Sequence, residues 1–384
     1  MNDAPSLYIH IPFCARKCGY CDFYSEPAAR GDVDRYLKAL DVELRGRFRK
    51  PMRPATVFVG GGTPTILNTG QLKAFGEVLH RRLDLSGSPE FTCEINPSTF
   101  SAEKAAALAA FGVNRASFGV QSFDRDLLAA LDRANEAGAA QAAIEAARNA
   151  GIERRSMDLI FAAPGQTLAQ LEADIATALS HEIEHLSLYA LTFEDDTPLS
   201  RLLAQGEIEP CPEPLEREMF AAAGRICAAA GLPRYEVSNF ARPGAECGHN
   251  LRYWRCEDWI GVGAGAHSWV GGEVSANAAD WRAYCDSLLA RGVPPVARQE
   301  QLSPMEQAET LLMMGLRLTQ GFSLARFRKL CGEEFKDVCG AVAAGLESRG
   351  LLTLADENVS ATPEGLLVLD TLVLELASAL EAAA

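Results

Sequence analysis

A chain of 384 residues has room for two or three domains, or for one large α/β barrel with an appendage. Hydrophobic residues at 48% and charged residues at 23% match soluble globular proteins and exclude wholesale disorder or a fibrous repeat. With 36 Lys and Arg against 51 Asp and Glu the net charge is −15, which opposes nucleic acid and anionic membrane surfaces as partners.

In chain order, short β-branched or aromatic runs alternate with Ala- and Leu-rich helical stretches. Strands are expected at 7–11, 56–59, 90–95, 116–120, 155–160 and 185–190. Helices are expected between them, near 32–48, 70–83, 101–111, 124–150 and 167–182. This alternation predicts βαβ units and a parallel sheet. Each strand is followed by an unusual segment: PFCARKCGYC, GGGTPT, NPS, QSF, APGQ and LTFEDDTP. Chemistry-bearing loops at all six strand ends suit a partial (β/α)6 TIM-type barrel, whose active site gathers where the strand C-termini converge. From about Ser303 the texture turns helical (303–319, 323–331, 333–348), then a hairpin LLTLADENVSAT and a last helix from Pro363. This C-terminal helical, winged-helix-like domain carries six Lys and Arg against twelve Asp and Glu, a poor balance for reading a duplex. No stretch approaches the roughly 20 apolar residues of a membrane-spanning helix. The stretch MNDAPSLYIHIPFC has no basic n-region followed by an apolar core and a cleavage site, so no signal peptide is expected there. A cytoplasmic location is expected, with peripheral membrane association left open and the eleven cysteines kept as thiols.

Cys14, Cys18 and Cys21 form C-x3-C-x2-C after the first strand, with no fourth Cys or His nearby to complete a tetrahedral zinc site. Three cysteines on a [4Fe-4S] cluster leave one iron open. S-adenosylmethionine (SAM) can chelate that iron through its amino and carboxylate groups, beside a sulfonium that one electron cleaves. A zinc site completed from a distance is the alternative. In GGGTPT, Gly61, Gly62 and Thr63 permit close backbone approach and can expose N–H groups to the methionyl end of SAM. A plain tight turn is the bland reading. Glu94, Gln121 and Asp158 fall at the ends of strands three to five and face the same mouth.

The string SLYIHIPFCARKCGYCDFYS resembles the radical SAM superfamily, and within it the branch holding the oxygen-independent coproporphyrinogen III oxidases and the HemW-type heme chaperones. The likeness is greatest to the HemW type. The oxidases carry C-x3-C-x2-C-x-C, whereas Phe23 stands two residues after Cys21 here, and HNxxYW is present as His249, Asn250, Tyr253 and Trp254. The resemblance implies a [4Fe-4S] cluster on Cys14, Cys18 and Cys21. It implies SAM contacts from Tyr8, Tyr20, Gly61, Gly62, Thr63, Glu94, Gln121, Arg133, Asp158 and Ala190. It implies heme held by His249, Tyr253 and Trp254, although a buried, hydrogen-bonded histidine fits the same residues. The expected organisation is a radical SAM barrel over 1–240, a connecting segment with the HNxxYW motif over 241–300 and a HemN/HemW-type domain over 301–384. The expected function is binding heme and delivering it to client hemoproteins, with an electron donor as a further partner. Oxidative decarboxylation of coproporphyrinogen III is the alternative, followed by radical SAM chemistry on an unrelated small substrate.

Overall fold

The computed structural model describes residues 4–133 and 138–382. Six parallel strands lie side by side in chain order: β1 (Ser6–Ile11), β2 (Thr56–Gly61), β3 (Glu90–Ile95), β4 (Arg115–Gln121), β5 (Arg154–Phe161) and β6 (His185–Ala190). Their residues alternate between two environments, as side chains on a strand must. Leu7, Ile9 and Ile11, Val57 and Val59, Phe91 and Cys93, Ala116 and Phe118, Met157 and Leu159, Leu186 and Leu188 are buried against the surrounding helices. The other face carries Tyr8, His10, Glu94, Ser117, Asp158 and Ser187. Apolar-out, polar-in patterning is what makes this a barrel with a polar interior.

The helices Asp32–Arg47, Thr69–Arg82, Ala102–Ala110 and Leu168–Ser180 fall where the sequence places them. Capping boxes start two of them, Asn68 with Gln71 and Thr167 with Gln170. The single helix expected over 124–150 is instead two, Arg125–Ala130 and Ala139–Asn149. The first stops because Asp132 turns left-handed (φ 50°) while Arg133 N–H bonds back to the Leu128 carbonyl; the expected stretch over 134–137 lies outside the described residues.

Residues beyond 230 extend the same sheet. The strands β7 (Arg234–Glu236) and β8 (Asn239–Ala241) add antiparallel beside β6. On the opposite edge β9 (Trp259–Val262) pairs parallel with β1, followed by β10 (His267–Val270), β11 (Glu273–Asn277) and β12 (Val296–Gln301). The C-terminal unit has helices Pro304–Gly315, Leu324–Cys331, Gly340–Ser348 and Leu369–Ala382. Its small sheet holds β13 (Phe322–Ser323), β14 (Leu352–Leu354) and β15 (Asn358–Ala361). Its core centres on Phe322, Phe327 and Phe335 and reaches across to Cys256 and Trp269.

The sheet extension is pinned to the barrel by one buried carboxylate. Glu43 accepts from Gly263 N–H (2.8 Å), Tyr284 O–H (2.6 Å), Asn277 Nδ2 (2.9 Å) and Arg47 Nε (2.8 Å). Truncating it strands several buried donors and one half-buried cation. Glu43→Ala is therefore expected to cost about 3 kcal/mol or more, read as a lowered urea midpoint of the iron-free protein, with Glu43→Gln losing less.

Candidate functional site

The C-terminal ends of β1 to β6 open into one cavity of about 490 Å³. Cys14, Cys18 and Cys21, all partly exposed, line it together with Tyr20, Gly61, Gly62, Thr63, Glu94, Gln121, Arg133, Asp158 and Ala190. The three cysteines and nine of the ten residues expected to contact SAM thus come together from six strand ends. Tyr8 is the exception. It sits a layer deeper on β1, its hydroxyl 3.0 Å from His10 Nδ1 and its ring stacked on Phe58, and it is not among the cavity-lining residues.

The cysteine loop is held at both ends. Glu26 N–H bonds to the Pro12 carbonyl and Cys14 N–H to the Glu26 carbonyl, so the chain leaves and re-enters the barrel side by side. Thr63 N–H donates to the Phe13 carbonyl (2.7 Å) and Gly62 N–H to the Ile11 carbonyl (2.9 Å), while Thr63 Oγ1 lies 3.3 Å from Cys14 Sγ. Gly61 N–H donates to Glu94 Oε2 (3.1 Å). These bonds correct the expectation that the glycine turn offers free N–H groups to an anion: all three are taken inside the protein. The turn is needed for close approach. Gly61 has φ 104°, and a Cβ there would lie 2.3 Å from the His10 ring; one on Gly62 would lie 2.6 Å from the Phe13 carbonyl.

Deeper polar groups are arranged around two carboxyls. Ser117 Oγ donates to Asp158 (3.0 and 3.2 Å), and Ser187 bonds to it as well. Burial pushes Glu94 up to about 8, with the charge of Asp158 adding to the rise and the Gly61 N–H opposing it. Asp158 is likewise raised, chiefly by burial. A cationic ligand would find two carboxyls ready to ionise on its arrival. Arg133 reaches in from the broken helix, with Nη1 3.5 Å from Cys18 Sγ and Nη2 donating to the Gly119 carbonyl. Gln121 ends β4 with φ 71°, a strained backbone at the cavity wall. Ser117 and Ser187 belong to no motif; their signal is positional, since each alternates inward two or more residues before a strand end.

These residues fit a cluster with SAM. Burial, with the neighbouring thiols adding, pushes Cys21 up to about 11; a cation such as iron beside it would favour the thiolate. When bound, such a cluster supplies one electron to the sulfonium of SAM. The cavity's own contributions are three thiolates, two carboxyls for cationic and hydroxyl groups, and the Arg133 guanidinium.

The HNxxYW residues are elsewhere. His249 lies on the helix Gly248–Trp254, whose first N–H groups are capped by Glu90: Gly248 N–H to Oε2 (3.0 Å) and His249 N–H to Oε1 (2.9 Å). Glu90 and Thr56 begin their strands, so this helix closes the barrel floor, roughly 17 Å of strand away from the cysteine loop. His249 has no exposed surface. Its Nδ1 is 2.7 Å from Thr56 Oγ1 and its Nε2 2.8 Å from the Tyr253 hydroxyl. Burial, then Arg252 and Arg115, push its pKa down to about 3. Both nitrogens are engaged within the protein, so His249 as it stands offers no free nitrogen to a heme iron. Tyr253 packs edge-on against Trp259, which stacks on Trp269, and Trp254 lies under the Arg317 guanidinium of the C-terminal unit (4.9 Å). The motif therefore joins barrel floor to C-terminal unit. Cys247 and Cys256 beside it are buried thiols.

Residues 8–178 match the Radical SAM superfamily and residues 302–368 the HemN C-terminal domain. The Heme chaperone HemW of Bacillus subtilis is 39% identical over 366 residues, 94% of this chain and 96% of that protein. The Heme chaperone HemW of Mycobacterium tuberculosis is 35% identical over 372 residues, covering 96% and 93%. The solved structure of the radical SAM enzyme coproporphyrinogen III oxidase (HemN) from Escherichia coli superimposes with TM-score 0.84, at 21% identity, over 98% of this chain and 90% of that one. That last likeness establishes the fold. Among the described residues no helix is long and apolar enough to cross a membrane.

Three outcomes follow. Replacing Cys14, Cys18 or Cys21 with Ala should abolish most of the iron and the brown absorbance of the reconstituted protein, while Cys93→Ala, deep in β3, keeps both. The raised carboxyl of Glu94 favours the protonated folded form, so its contribution to stability is present below about pH 4.5 and lost as pH rises through about 8. Unfolding midpoints of the iron-free protein should fall across that window, and Glu94→Gln should flatten the fall. Finally, His249→Ala leaves the Thr56 and Tyr253 hydroxyls without their partner and should cost about 2 to 4 kcal/mol of stability, measured by denaturation, while iron content per folded chain is unchanged.

Proposed function

Because the chain belongs to the HemW family of radical SAM proteins, we propose that it binds heme and hands it to client hemoproteins, with the cluster and SAM supporting the transfer. The observation that carries this reading is 39% identity to a HemW protein over 94% of this chain. Phe23 supports it further, since the oxidases carry a fourth cysteine at that place in the loop. A chain with net charge −15 and no membrane-crossing helix among its described residues fits work in the cytoplasm on protein partners. An external electron donor is part of the reading.

In this role the polar depth of the cavity holds SAM. Glu94 and Asp158 take up its cationic and hydroxyl groups, Arg133 its carboxylate, and Thr63 keeps Cys14 in place. The test uses the anaerobically reconstituted protein, incubated separately with heme and with coproporphyrinogen III plus SAM and a reductant. Stoichiometric heme binding, passage of that heme to an apo-hemoprotein and no vinyl product are expected. Decarboxylated product from the wild-type protein would replace this reading with the oxidase one.

A further inference from the structure

We propose that the heme of this reading, on which the inference rests, docks on the aromatic rim of the strand-end cavity, stacked on Phe23 and Tyr189, and not on the HNxxYW motif. His249 is fully buried with both ring nitrogens bonded, at the opposite end of the barrel. Phe23 is 59% exposed and Tyr189 41% exposed, and both line the cavity. They reach it from different parts of the chain, Phe23 from the cysteine loop and Tyr189 from the end of β6. Exposing a large aromatic ring forgoes the burial that stabilises other aromatics in the fold, so two of them lining one cavity mark a surface built to be covered.

The rim also has the chemistry to choose its occupant. The Tyr189 side chain bonds to Ser187 and Asn239, which fixes the ring while its face stays open. Half-buried Leu191 lines the same cavity, and Ile160, paired with Tyr189 in the sheet, lies in the apolar cluster behind it. Arg16 and Lys17 lie on the same rim, between the first two cysteines, Arg16 in an ion pair with Asp132. A flat apolar ring with peripheral carboxylates meets both features: its face stacks on the aromatic pair, and its carboxylates turn toward Arg16 and Lys17, away from Asp22 and Glu194 on the same rim. The cavity beneath, lined by Glu94 and Asp158, is too polar for the ring and remains free for SAM.

Stacking does not need the iron, and axial ligation does. The test is therefore titration of the anaerobically reconstituted protein with heme and with metal-free protoporphyrin IX, followed by tryptophan fluorescence and absorbance. The wild type is expected to bind the two within about tenfold of each other. Phe23→Ala and Tyr189→Ala should each weaken both by roughly three- to tenfold, with wild-type iron content reporting an intact cysteine loop, and Phe23→Tyr should restore binding. Lys17→Gln should weaken heme but not its dimethyl ester, and His249→Ala should leave both affinities unchanged in the folded fraction. Wild-type affinity in the Phe23→Ala, Tyr189→Ala double variant, or loss of metal-free porphyrin binding in the wild type, overturns the rim as the docking site while leaving the chaperone reading in place. A wild type that binds neither ring sinks both.

Discussion

The contact on which the site depends is backbone against ring: Gly61 lies over the His10 imidazole so closely that no side chain fits between them. From that contact the turn after β2 can donate two N–H groups to the carbonyls of Ile11 and Phe13 and so fix where the cysteine loop departs. His10 completes the arrangement. Its Nε2 reaches the Tyr24 carbonyl (2.9 Å), just past the last cysteine, so one buried imidazole touches both the glycine turn and the returning end of the loop. Burial lowers its pKa. A neutral ring with Nε2 donating to a carbonyl leaves Nδ1 to accept from Tyr8, so the Tyr8 hydroxyl is already engaged one layer below the cavity-lining residues.

The polar lining of the barrel is the second consequence of the same architecture. A sheet whose outer face is sealed by helices must either fill its interior with apolar side chains or satisfy polar ones internally. Here the strands choose the latter, and pairs across neighbouring strands do the satisfying: Ser117 with Asp158, Ser156 with His185 (2.7 Å), Thr56 with Ser6 (2.7 Å). Two of the carboxyls raised by burial, Glu94 and Asp158, lie toward the mouth, while the floor is closed by Glu90, Arg115 and the His249 network. Polarity thus has two different purposes along one strand. Near the floor it is consumed in hydrogen bonds; near the mouth it stays available to a ligand.

Much of this was legible in the sequence because strand alternation and loop chemistry are local. The bounds of β3 and β6 came out as Glu90–Ile95 and His185–Ala190, and the three-cysteine loop could be placed at a strand end from spacing alone. The break at Asp132 was not legible, since Ala-rich sequence on both sides has high helix propensity and the left-handed turn is tied to a tertiary ion pair with Arg16. Nor was the use of the glycine N–H groups. A GGG turn presents the same pattern whether its donors face a ligand or a neighbouring strand, and only the register of β1 against β2 decides.

HNxxYW shows most clearly how a motif can carry family information without naming its own role. A histidine followed at four residues by tyrosine and then tryptophan places imidazole and phenol on one face of a helix, which serves a heme pocket and a buried hydrogen bond equally well. What separates the two is the environment of the other nitrogen, and here Thr56, almost two hundred positions earlier, occupies it. The aromatic path from Tyr253 through Trp259 to Trp269, with Arg317 over Trp254, then runs into the core of the C-terminal unit. The motif's tryptophan contacts one unit and its histidine the other. These contacts act beside the backbone bonds from Val237 to Arg317 and from Thr319 to Tyr235, so the motif is one of several links by which the barrel floor holds the C-terminal unit.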